Sequence, residues 1–404
     1  MESKRFYEMY SISLRISNYF GGSPFMCEFG GAGHYSPSFR LIVSPKLVKK
    51  CASRFGIVFG HTAFLAAQTY FSVKRHDLSG LCFATLFLSM GMNLLTTMTF
   101  FVFFPQEYAD AINLQNNFFY QYQKKWIPLH NTNSSRLNKI ADFITYLTCI
   151  SCGLTQLLCF IHFCIFPNTV IYLTSIGCYE FHVWYTLGIR VTGAVFYFHF
   201  FGVAYSLILV YILAAKTYIT FIYHIVTDFR CLTGSRKEKS HRTMHALRSP
   251  TFLPIEYRSL ELVHRITVSQ YGPIIPITEA LCGYIIILGA FMLIRHSREL
   301  DKTAFGIVTM WVTSMLLLFT WILRFGGIFF TGSKKTINSW KYWRESGNVI
   351  WNSTSTLKYM KQFSKSCRPL AIEFPGYYRI SNVSVLKFWQ GAIRGVVRVL
   401  LAFK

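Results

Sequence analysis

Three cations recur along one stripe near the carboxyl end: Lys387, Arg394 and Arg398. Residues four and seven apart share a helix face, and residues 384–403, which hold them, are otherwise largely apolar. A charge inside a bilayer is costly and faces protein or water. If several copies of this helix lined a pore, the arginines would form rings, which favour anions and oppose cations. In the competing arrangement Arg398 reaches the outer headgroups while Arg394 pairs inside the bundle. Gly391 and Gly395 form a small-xxx-small pair that lets helices approach closely, as subunits assembled about an axis would need.

Other polar groups lie inside apolar stretches. Glu279 follows Pro273 and Pro276 at the inner end of a fifth stretch, and Arg324 lies near the inner end of the sixth. The short connection makes these helices neighbours, so the two charges are expected to pair; each reaching headgroups alone is the alternative. A ligand site is expected among the outer halves of the helices. Gln156 and His162 are its candidates on the third stretch. Tyr197 and His199 stand on the fourth, among Phe196, Phe198 and Phe200, and Trp311 on the sixth. Aromatic walls with a few polar groups suit a small, mostly apolar molecule; ordinary aromatic packing is the competing reading. There is no Ser-His-Asp context, phosphate-cradling glycine loop or zincin motif, so an enzyme is not expected, nor a cofactor. His241 and His245 share a spacing but sit in a charged loop, which reads as a solvated face rather than a metal site. Cys149 and Cys152 have redox spacing on an apolar helix, where thiols serve as packing groups.

These residues must be positioned by membrane helices. The 404 residues are 52% hydrophobic and only 14% charged, far below the roughly 25% of a soluble domain. A bilayer core about 30 Å thick requires about 20 apolar residues per helix. Seven such stretches are expected, at residues 55–71, 81–104, 143–166, 191–213, 271–294, 304–330 and 384–403. This predicts an all-α integral membrane protein in three regions: a cytosolic N-terminal region 1–54, a six-helix bundle 55–330 with basic loops, and a cytosolic segment plus last helix over 331–404. No early apolar run of signal-peptide type is seen, and no internal repeat that would suggest an inverted-repeat transporter.

Charge sets the orientation. With the N-terminus in the cytosol, the cytosolic tail and loops hold eight, four, nine and nine Lys and Arg, thirty in all, and the opposite loops hold six. That asymmetry places the N-terminus inside and the C-terminus outside. The excess of 41 basic over 17 acidic residues then reads as loops facing anionic membrane lipid, with no nucleic-acid partner. The sequons at Asn133, Asn352 and Asn382 all fall on the cytosolic side; sugar there would reverse the topology.

The final stretch from Cys367 carries a family resemblance. Pro369-Leu370 and Ile372, Ser384 at the helix start, Gly391-Ala392-Ile393 at mid-helix and the terminal Phe403 are similar to the C-terminal signature of the arthropod gustatory and odorant receptors. Gly395-Val396 stand where that signature has Thr-Tyr, and Ala402 where it has Gln, which marks a divergent member. The resemblance implies a plasma-membrane chemosensory receptor: a ligand-gated ion channel, a homo- or hetero-tetramer with the last helix at the central pore. A G-protein-coupled receptor would require the opposite topology, and a transporter would show flux without gated current.

Overall fold

A computed structural model describes residues 4–30, 38–128, 136–175, 183–231, 242–271, 274–340, 354–374 and 378–403. Eleven α-helices run in order among the described residues: α1 Lys4–Phe20, α2 Pro45–Lys74, α3 Leu78–Phe103, α4 Pro105–Trp126, α5 Arg136–Ile165, α6 Val183–Asp228, α7 Phe252–Tyr271, α8 Ile274–Arg295, α9 Lys302–Ser339, α10 Thr354–Ser366 and α11 Asn382–Ala402. Two antiparallel hairpins qualify the all-α expectation: β1 Phe25–Gly30 with β2 Ser38–Val43, and β3 Glu373–Phe374 with β4 Tyr378–Arg379. Helix starts follow local chemistry. Asp77 caps α3 through the Gly80 amide (2.9 Å), and Asp301 caps α9 through the Thr303 and Ala304 amides (2.8 and 2.9 Å). Pro45 and Pro105 open α2 and α4. A Ser381–Ser384 capping box opens α11.

Among the described residues five helices are long and apolar enough to cross a membrane: α3, α5 from Asp142, α6 from Leu187, α8 and α9. The chain is a multi-pass helical membrane protein. The expected first and seventh stretches lie in α2 and α11, which are helical over 30 and 21 residues but less apolar. The helices α1, α4, α7 and α10 were not foreseen, and the region boundary at 330/331 falls inside α9. Region 1–54 is folded over much of its length: α1 lies along α6, and β2 packs on α4 through Asn113, which accepts from the Leu41 amide (2.7 Å) and donates to its carbonyl (2.8 Å). The sequons at Asn133 and Asn352 lie outside the described residues. The Asn382 amide donates to Thr331 Oγ1 on α9 (3.0 Å).

At 1.5 Å per residue, the 46 residues of α6 reach about 69 Å and the 38 of α9 about 57 Å, well past a bilayer core about 30 Å thick. Two hydrophobic cores result. One fills the bundle around Leu86, Phe101, Leu207, Ile285 and Val308. The other joins α4, the far ends of α6 and α9, α7, α10 and the segment before α11, around Phe119, Phe229, Tyr257, Phe329 and Ile380. There Trp340 donates to the Phe229 carbonyl (3.0 Å) and Thr336 to the Val226 carbonyl (2.9 Å).

His264 of α7 is fully engaged in this second core. Its Nε2–H donates to the Ala371 carbonyl (2.9 Å), which fixes Nδ1 as acceptor for the Tyr218 hydroxyl. Burial pulls the imidazole down to about 4, against the upward influence of the Ala371 bond, Glu373 and Glu261. The unfolded chain therefore takes up a proton below about 6.5 that the folded chain refuses. Stability is complete above that pH and falls between 6.5 and 4, by about 3 kcal/mol. Melting temperature should drop between pH 7.5 and 5, and His264→Gln should flatten that slope; an equal slope in the variant would refute the assignment.

Candidate ligand cavity and pore helix

One end of the bundle, where α5 ends and α3 and α9 begin, carries a polar aromatic roof. His162 Nδ1 lies 2.8 Å from the Tyr172 hydroxyl, and Nε2 lies 3.2 Å from the Asp301 carboxylate. The Tyr172 hydroxyl donates to the Cys159 carbonyl (3.1 Å). Tyr197 of α6 accepts from the Leu173 amide (2.7 Å) and lies 3.2 Å from His61 Nε2 on α2. Phe83 sits 5.8 Å from the His162 ring and 5.2 Å from Phe87, which lies 4.7 Å from Trp311. Trp311 is buried, and its Nε1–H has no hydrogen-bond partner among the described residues.

Beneath this roof lies a cavity of about 210 Å³. Its walls come from α3 (Met90, Leu94), α6 (Leu207, Tyr211), α8 (Cys282) and α9 (Met315, Phe319). Trp311 stands about 14 Å along α9 from Lys302, whereas the lining residues Met315 to Ile322 stand about 20 to 30 Å along it. Polar groups are sparse. The Thr278 hydroxyl donates to Asn93 Oδ1 (3.1 Å), while the buried Tyr211 hydroxyl has no partner among the described residues. An apolar chamber with one open hydroxyl suits a small molecule bearing one hydrogen-bonding group.

The cavity's end away from this roof is formed by Ile372 and Ile380, on either side of the β3–β4 hairpin that leads into α11. The Ile380 amide donates to the Ile372 carbonyl (3.0 Å), and Arg379 pairs with Glu373 (2.8 Å). Hydrogen bonds clamp this segment: the Leu370 amide to Ser333 Oγ (2.8 Å), the Tyr257 hydroxyl to the Arg368 carbonyl (3.0 Å), and His264 to Ala371. Two glycines of α9 admit it. A Cβ at Gly326 would stand 2.6 Å from Ile380 Cγ2. One at Gly327 would stand 2.7 Å from the Asn382 nitrogen and 2.9 Å from its Cα.

Helix α11 packs on α8 and α9. Ala392 is buried, Phe388 stacks on Phe319 at 5.8 Å, and Trp389 Nε1 donates to Thr320 Oγ1 (3.0 Å). The opposite side is free of contacts with the other described residues and is divided lengthwise. Leu386, Ile393, Val397 and Leu401 form an exposed apolar stripe, and exposed Lys387, Arg394 and Arg398 form a basic stripe beside it.

The expected site residues are therefore distributed over several places. His162 and Tyr197 share the roof with Trp311, and Gln156 is buried on α5. His199 is apart: its Nδ1 faces the Val195 carbonyl (3.0 Å), and it lines a separate hollow with Arg54. Gly395 is used within the chain, where Ile287 of α8 fills the space a side chain would need; Gly391 opens to free space. Among the described residues Glu279 and Arg324 form no ion pair with each other, and Arg324 is exposed. The cavity itself escaped sequence reasoning. Asn93, Tyr211 and Thr278, polar groups on otherwise apolar helices, were the signal that could have found it. Cys152 lines it as a buried thiol.

No protein-family model matches this chain, and no curated protein matches it by sequence. Solved structures do match. The insect olfactory receptor OR5 from Machilis hrabei, both in complex with eugenol and without it, superposes with a TM-score of 0.65 at 10% sequence identity, covering 98% of this chain and 99% of that one. Over essentially its whole length, the chain has the fold of an insect-type odorant or gustatory receptor.

Proposed function

We propose that this protein is a chemosensory receptor of the plasma membrane, an ion channel opened by a small, mostly apolar molecule. Helices α2, α3, α5, α6, α8, α9 and α11 cross the bilayer, with the N-terminus in the cytosol and the C-terminus outside. Four copies, identical or mixed, stand around an axis with the free face of α11 inward. The ligand occupies the chamber beneath Trp311 and His162, with its polar group on Tyr211. One observation carries this reading: the chamber ends on Ile372 and Ile380, which belong to the segment that leads into α11. A ligand that fits better when this segment is displaced shifts the population toward the open pore. The olfactory receptor of the same fold holds a small aromatic molecule, eugenol, in its complex, which supports a ligand of that class.

Patch recording from proteoliposomes with a panel of small apolar alcohols and phenols tests this reading. A gated current is expected. Ala214 lines the chamber, so Ala214→Trp should fill it and raise the half-effective concentration at least tenfold, while the melting temperature stays within a few degrees. Flux without gated current would instead identify a transporter. In intact cells a C-terminal tag should be reachable and an N-terminal tag protected; the reverse would match a G-protein-coupled receptor.

A further inference from the structure

A second hollow, also about 210 Å³, lies between α2 and α6, away from the chamber. Ile57, Val58, Phe196, Phe200 and Val203 make it apolar, and one charged group, Arg54, closes its end nearest the N-terminus of α2. Along α6 it extends from Val195 to Val203, eight residues or about 12 Å. The end of α1 lies nearby, with the Phe20 ring 5.7 Å from Phe198 and 6.0 Å from His199, of which His199 lines the hollow.

Positive charge gathers at that end. Lys46, Lys49, Lys50 and Arg54 fall within nine residues, and residues 1–54 hold eight Lys and Arg against three acidic residues. Among the described residues no carboxylate pairs with any of these four. Lys50 donates instead to the Asn18 and Tyr19 carbonyls (2.8 and 2.7 Å). Its ammonium is pulled down by burial and then by Arg54 and Lys46, as expected of cations crowded together without an anion.

We propose that this groove binds an anionic phospholipid, with its phosphate on Arg54 and its acyl chain between α2 and α6. Guanidinium matches phosphate geometry and tolerates partial burial. Clusters of four or more Lys and Arg beside a membrane helix attract anionic lipid from the cytosolic leaflet. A free phosphate would satisfy Arg54 but leave the apolar trough uncovered, and a zwitterionic lipid would fill the trough without answering the charge. The assignment to the cytosolic leaflet rests on the orientation proposed above; the binding itself does not.

The test uses the full-length protein in detergent, titrated with dioleoyl phosphatidylglycerol, dioleoyl phosphatidylcholine or inorganic phosphate while the melting temperature is followed. Phosphatidylglycerol is expected to raise it by several degrees, saturably, and the other two by less than a third as much. Arg54→Gln should remove at least half of the shift, and Val203→Trp, which fills the trough without changing charge, should also reduce it. Lys361→Gln on exposed α10 should retain it. Equal shifts with phosphatidylcholine or phosphate, an unchanged shift in Arg54→Gln, or an equal loss in Lys361→Gln would each overturn the proposal. Should Val203→Trp not fold, Arg54→Gln decides. No current is read, so failure here is separable from failure of the receptor reading.

Discussion

Gly327→Ala is expected to reach the membrane yet lose at least nine-tenths of its ligand-gated current. The new methyl would stand 2.7 Å from the backbone nitrogen of Asn382 and 2.9 Å from its Cα. Backbone cannot rotate aside as a side chain can, so the first turn of α11 must move outward from α9. Overpacking of this kind costs about 1–3 kcal/mol, and about 1.4 kcal/mol is tenfold in an equilibrium. The displaced element is the proposed pore helix, so gating should suffer more than folding. Gly332→Ala on the same helix is the control: its nearest neighbour, Tyr223 Cε2, lies 3.4 Å away, an ordinary contact. The comparison needs surface labelling, melting temperature and patch current for both variants. Wild-type currents in Gly327→Ala would break the proposed link between the chamber and α11.

Arg394→Glu should move the current's reversal potential toward that of the permeant cation. Arg394 is exposed, on the side of α11 that no other described part of the chain covers. In water, one unit charge 5 Å from a passing ion contributes about 0.8 kcal/mol, so a ring of four contributes about 3 kcal/mol before salt screening. The wild type is therefore expected to prefer anions, and Arg394→Ala to lose that preference. Arg394→Glu should reverse it, with a total change in the permeability ratio of at least about a hundredfold once salt screening is included. Recording under a tenfold salt gradient measures the ratio directly. Identical reversal potentials in the wild type and Arg394→Glu would place Arg394 outside the conduction path. The same ring lowered to two charges, by mixing wild-type and variant subunits, should give an intermediate value.

Much of the bundle was legible because its signal is simple. Apolar runs of membrane length mark α3, α5, α6, α8 and α9 without any knowledge of packing. Helices α2 and α11 are weaker in the same measure, since each carries cations and polar groups along one side. The helices α4, α7 and α10 of the second core were not legible. They are amphipathic, and what stabilises them is burial of Tyr122, Tyr257 and Phe363 in a core assembled from distant segments. Site residues fared unevenly for a similar reason. Composition shows which side chains lie in a helix, but not which face a twisting bundle turns inward. Tyr197 and His199, two residues apart, accordingly point into different places. For Glu279 and Arg324, proximity of two helices does not by itself fix which of their residues meet. The cationic stripe of α11 was legible because its spacing alone fixes a common face.

The uninterrupted course of α6 bears on how this protein loses its structure. One rod contributes Leu207 and Val210 to the bundle core and Ile222 and Val226 to the inner one. Its last turns before Asp228 contain neither proline nor glycine, so the two ends are mechanically continuous. Melting either core strips α6 of half its partners and leaves the rest propped on an unsupported rod. The protein should thus behave as a single cooperative unit, and neither half would survive excision as an autonomous fragment.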